Sequence, residues 1–169
     1  GRIRFKLPPP AGGGLTQALA LMTQAFSLAV LLLSASLPAF ADGGRNECVR
    51  WANDIVNGAA DGCDELCPQA SKFDHYDYRA GLTAAFESRD GLSAYFAYLG
   101  RASIIGSAAE AHACSVHALI LHWGDDVFAS LLSTQPTQAK DQAVSLLDYT
   151  ALEEFETRFP KTYALAEHE

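Results

Sequence analysis

Positive charge is scarce in this chain. Of 169 residues, 12 are Lys or Arg against 20 Asp or Glu, a formal net charge of −8. Three of the twelve, Arg2, Arg4 and Lys6, stand at the start, and no acid precedes Asp42, so the remainder is more anionic still. Such a surface repels phosphate backbones and anionic headgroups, which excludes nucleic-acid binding and docking on an acidic membrane surface by this part of the chain. The acids are dispersed rather than blocked, as on an ordinary solvated surface.

Strand signals are also missing. No segment sustains an apolar/polar alternation rich in β-branched residues, and no Asn-Gly or Asp-Gly turn is flanked by two such runs, so no sheet is expected. Several catalytic signatures are absent as well: G-x-S-x-G, the P-loop, G-x-G-x-x-G and H-E-x-x-H. Common hydrolases, nucleotide enzymes and zinc proteases thereby lose their usual support, and no cofactor is expected. Structural zinc would need a second ligand pair beside the lone C-x₃-C of Cys63 and Cys67. The acids Asp61, Asp64 and Glu65 lack the ligand order of a calcium loop.

What is present begins with an export signal. After the three basic residues the chain carries no charge from Leu7 to Ala41, and its most apolar run is Phe26 to Leu33. Pro38 precedes the small-x-small triplet Ala39-Phe40-Ala41, and Asp42-Gly43-Gly44 opens a polar stretch. The layout predicts a signal peptide over 1–41, cut between Ala41 and Asp42. The lead before the apolar run is long, and Met22 is an alternative start. The uncharged stretch from Leu15 to Leu37 would also suffice as an uncleaved membrane anchor, giving a membrane-tethered envelope protein with its C-terminal domain outside the cytoplasm.

Residues 42–169 then read as a single domain. Cys48, Trp51, Ala52, Ile55 and Ala59 fall on one helical face, with Gly58 as a stop. A short helical stretch over Ala59–Cys67 is expected to end at Pro68, followed by a loop from Gln69 to Asp74. Further apolar seams follow: Tyr78, Leu82, Ala85 and Phe86; then Leu92, Tyr95, Phe96 and Leu99, capped by Asp90; then His112, Val116, Leu119, Ile120 and Trp123 in the longest helix. Ser107 to Glu110 and Thr150 to Glu153 have capping-box spacing. Asp125 is expected to cap a helix after Gly124, and Pro136 to open the next one. The class is all-α: a small irregular helical bundle, with stacked helical hairpins as the alternative, stapled by disulfides.

All four cysteines, Cys48, Cys63, Cys67 and Cys114, follow the expected cleavage point, and an even count in an exported domain predicts two disulfides. If Cys63 and Cys67 share a helical face, their Cβ atoms point poorly for bonding each other. The expected pairing therefore joins Cys48 to one of them and Cys114 to the other.

Two groups of residues are candidates for function. Glu110, Cys114 and His117, at i, i+4 and i+7, align a carboxylate, a thiol and an imidazole on the longest helix, which a thiol- or metal-dependent enzyme could use. Side-by-side placement on one helix leaves little room for a substrate, and Cys114 is needed to make the disulfide count even. The histidines His112, His117 and His122 fan around the helix and cannot share one ion. Tyr76, Asp77 and Tyr78 form an aromatic and polar loop suited to a protein interface, or else a cap with tyrosines at the core edge. The leading expectation is a periplasmic or secreted, non-enzymatic helical domain that binds a protein partner in the cell envelope or outside the cell.

Overall fold

The computed structural model describes residues 43–59, 63–151 and 154–166. The expected signal or anchor and the Ala41–Asp42 cleavage point lie outside the described residues. Among those residues there is no strand, and no helix is long and apolar enough to cross a membrane. The chain runs through α1 (Gly43–Asn57), α2 (Leu66–Asp74), α3 (Tyr78–Glu87), α4 (Arg89–Leu99), α5 (Ala108–Ser133) and α6 (Thr137–Ala151). Two short turns of helix follow, α7 (Phe155–Arg158) and α8 (Pro160–Tyr163). The fold is an all-α bundle.

Helix α5 organises it. Every residue from His112 to Ile120 is buried, so this stretch of the helix is enclosed on all sides instead of burying one seam. The cause is local composition: Ala111 to Trp123 carries no Asp, Glu, Lys or Arg, and a helix without a charged face belongs inside. Helices α1, α3, α4, α6 and α8 pack around it, an irregular bundle about a central helix rather than a row of stacked hairpins. Phe96 of α4 meets Phe128 edge-on, ring centroids 4.7 Å apart, and the Trp123 indole donates to the Ala85 carbonyl of α3 at 2.8 Å. At Gly124 the helix is interrupted by a residue at φ 75°, ψ 158°, a region that side chains disfavour and glycine tolerates.

Several expected helix ends move. Pro68 does not stop a helix; it sits in the first turn of α2, where a missing N–H costs nothing, and the expected loop 69–74 is helical. Ser107 makes no capping bond to its own helix; its hydroxyl instead donates to Glu65. Thr150 lies inside α6, its hydroxyl bonded back to the Leu146 and Leu147 carbonyls. Ser88 rather than Asp90 caps α4, accepting from the Gly91 amide at 3.0 Å. Asp125 does cap a helix, but a distant one: its carboxylate accepts from the Lys161 and Thr162 amides, both at 2.9 Å, and from the Thr162 hydroxyl at 2.7 Å, which fixes α8 beside the Gly124 kink.

The disulfide pairing also differs from expectation. Cys48 bonds Cys114, Cα atoms 4.5 Å apart, and Cys63 bonds Cys67, Cα atoms 5.1 Å apart. The expectation failed because it placed Cys63 and Cys67 on one continuous helix. Helix α2 begins only at Leu66, so Cys63 sits in the preceding turn, and its Cβ is free of the helical direction that would have pointed it away. Helix α1 packs along α5 and brings Cys48 onto Cys114 directly. Two disulfides suit an oxidising compartment.

Candidate functional site

The Glu110, Cys114 and His117 row does not assemble into a site. The sulfur of Cys114 is bonded to Cys48, so the row holds no free thiol. The His117 ring is buried, with Phe159 edge-on at 6.3 Å, while Glu110 is exposed and accepts from the Tyr149 hydroxyl at 3.4 Å. No group of three or more His, Cys, Asp or Glu among the described residues could hold a metal ion.

The Tyr76 to Tyr78 loop is divided by the fold. Asp77 caps α3, its carboxylate accepting from the Ala80 amide at 3.0 Å. Tyr78 is a core residue, 1% exposed, which corrects its expected place on a binding loop. The reason is register: Tyr78 is the first residue of α3 and lies on the same face as Leu82 and Ala85, both fully buried. Its hydroxyl lies 2.6 Å from that of Tyr95 and 2.8 Å from Nδ1 of His112. Burial pushes the Tyr78 and Tyr95 hydroxyls well above the usual tyrosine range, and it lowers His112 to about 4, partly offset by the negative charge of Asp74. All three groups are therefore neutral at ordinary pH. His112 Nε2 has no hydrogen-bond partner within the described residues.

Tyr76 stays at the edge of this cluster. Its ring stacks on Tyr98 at 3.7 Å and 8°, and burial raises its hydroxyl to about 12, against the lowering effect of Arg101. A Cβ on Gly81 would lie 1.8 Å from the Tyr76 hydroxyl, so a side chain there would displace the ring from its present place. The Arg101 guanidinium lies 5.4 Å from the Tyr98 ring centroid and donates to the Asp74 carbonyl at 2.9 Å. The Asp74 carboxylate, itself buried, accepts from the Tyr98 hydroxyl at 3.0 Å and from the Ser103 amide at 3.1 Å and 3.2 Å. Asp74 thus ties the end of α2 to α4 and to the loop before α5. Sequence reasoning singled out neither Asp74 nor Arg101 for this role; periodicity cannot tell a buried carboxylate from the solvated acids around it.

The open surface lies on the other side of α3. Val49, Asn53 and Val56 of α1, Phe86 of α3, and Ala118, Leu121 and His122 of α5 line a mainly apolar groove of about 420 Å³. Val56 is also a wall of a second cleft, about 570 Å³, which holds Cys67, Asp77, Arg79, Thr83 and Glu87. The two clefts therefore adjoin across one α1 residue. His122 sits edge-on to Phe86 at 5.2 Å, so its imidazole forms part of the groove wall. A wider hollow of about 800 Å³ between α7 and α8 has only Tyr163, Pro160 and Ala164 as apolar lining, with Glu156 and Thr157.

No family model, curated protein or solved structure matches the chain.

Proposed function

We infer that the chain is an exported, disulfide-stapled helical domain that acts by binding, and that the groove between α1, α3 and α5 takes an amphipathic helix from a protein partner. The observation that carries this reading is the groove itself. Valines two turns apart on α1, with Phe86 and Leu121 opposite them, offer an apolar trough between helices, and the adjoining cleft adds Arg79, Asp77 and Glu87 for polar contacts. Export is supported by the uncharged stretch after Lys6 and by two disulfides. The candidate nucleophile, Cys114, is bonded to Cys48 and therefore offers no reactive thiol.

The test is a photo-crosslinking residue at position 49, irradiated in intact producing cells, with the same residue at the exposed position 141 of α6 as control. The expected result is a discrete adduct at 49 that maps to an amphipathic helical segment of one protein and is lost in Leu121→Glu. Equal adducts at 49 and 141, or an adduct unaffected by Leu121→Glu, would overturn the reading.

A further inference from the structure

The two disulfides occupy different environments. Cys48 and Cys114 are both buried, 5% and 9% exposed, and their bond closes a span of 66 residues between α1 and the central helix. Cys63 and Cys67 are four residues apart. By chain entropy a short loop of this kind restrains the unfolded state about half as much as the long one. Helix α2 also has other anchors. Leu66 and Ala70 are in the core, Gln69 exchanges two hydrogen bonds with the Ile105 backbone at 3.1 Å and 3.2 Å, and Asp74 holds Tyr98 and Ser103. Opening the Cys63–Cys67 bond would leave these contacts in place.

The short bridge is also asymmetric. Cys63 is 4% exposed, whereas Cys67 is only partly buried and lines two clefts at once. One is the 570 Å³ cleft with Arg79; the other, about 390 Å³, brings Ser71, His75 and Tyr76 to the same sulfur-bearing residue. Cys67 is the second residue of α2, at the positive end of the helix, which favours a thiolate there; its cleft holds the Arg79 guanidinium together with the carboxylates of Asp77 and Glu87.

From this arrangement we propose that Cys63–Cys67 is a redox-active disulfide that exchanges with a dithiol of another protein, Cys67 being the sulfur attacked and Cys63 the one that leaves, while Cys48–Cys114 is a fixed staple. The thiolate of the incoming dithiol attacks the Cys67 sulfur. A bond forms between the two sulfurs, the Cys63–Cys67 bond breaks, and its electron pair leaves on Cys63, which takes up a proton. The partner's second thiolate then attacks its own sulfur in the mixed disulfide and releases the Cys67 thiolate, which takes up the second proton. Two electrons and two protons pass to this chain, and the dithiol becomes a disulfide. The inference does not depend on what occupies the groove.

The test uses the oxidised full chain without denaturant. It is exposed to millimolar reduced glutathione or dithiothreitol, quenched with N-ethylmaleimide and mapped by peptide mass. Alkylation is expected at Cys63 and Cys67, with Cys48–Cys114 intact and the far-ultraviolet spectrum unchanged. With oxidised glutathione, Cys63→Ser should form an adduct on Cys67 about tenfold faster than Cys67→Ser forms one on Cys63. The proposal is overturned if Cys63 and Cys67 react only in denaturant, if Cys48–Cys114 opens at the same rate, or if the two adducts form equally fast.

Discussion

The Tyr78 hydroxyl lies 2.8 Å from Nδ1 of His112, and both side chains are buried, one at the start of α3 and the other in the first half of α5. The bond joins two helices through neutral partners, and protonating the imidazole would place a charge in the core.

Stability should therefore fall in mild acid. The unfolded chain takes up the His112 proton near its ordinary value of 6.5, while burial holds the folded group down to about 4. The unfolded state binds more protons in that interval, so the contribution is complete above pH 6.5 and is lost progressively as pH falls to about 4. The full loss is about 3 kcal/mol. Urea midpoints measured across this range should show the decline, and His112→Phe should flatten it. An unchanged slope in that variant would refute the assignment to His112.

The two disulfides should differ in what their removal costs. Chain entropy assigns about 4 kcal/mol to a loop the size of the Cys48–Cys114 span and about 2 kcal/mol to one the size of Cys63–Cys67. The double variant Cys48→Ala/Cys114→Ala should accordingly lose about twice the stability of Cys63→Ala/Cys67→Ala in urea unfolding. Equal losses would mean that the short bridge supports more of the fold than its loop length implies.

Asp74 offers a sharper test of the buried polar cluster. Asp74→Ala leaves the Tyr98 hydroxyl and the Ser103 amide without their acceptor and should cost about 3 kcal/mol, with Asp74→Asn costing less because its side-chain carbonyl can still accept. Near-ultraviolet circular dichroism should report the loosening of the Tyr76–Tyr98 stack. Arg101→Ala, at an exposed guanidinium, should cost no more than about 1 kcal/mol; a loss as large as that of Asp74→Ala would place the weight of the cluster on the cation.

Asp125 caps a helix it does not belong to. Asp125→Ala removes the acceptor for two amides and a hydroxyl at α8, a loss of about 1 kcal/mol. Hydrogen exchange at the Lys161 and Thr162 amides should accelerate in the variant, while that of the α5 core amides stays near its original rate.

The class of the fold was legible because apolar positions recur at helical spacing around Ile55, Leu82, Phe96 and Leu119, and all four are fully buried. Gly58 and Gly124 were legible as breaks, and both take positive φ. Pro68 misled because proline both ends helices and opens them, and nothing nearby decides between the two. That single boundary carried the error in disulfide pairing with it. Ser107 and Thr150 have capping-box spacing yet bond elsewhere, since a short motif competes with whatever the tertiary fold brings alongside: Glu65 for one, the preceding turn of α6 for the other. The Asp74 cluster and the groove join residues that are far apart in sequence, and no local pattern records such meetings.

The bond between Cys48 and Cys114 has a mechanical meaning. Cys48 is six residues into α1, and its partner stands near the start of the enclosed stretch of α5. Tension applied to the chain ahead of α1 could unravel only its first few residues before the load passed through sulfur to α5. The remainder of α1, including the valine that separates the two clefts, is thereby shielded from any pull from upstream.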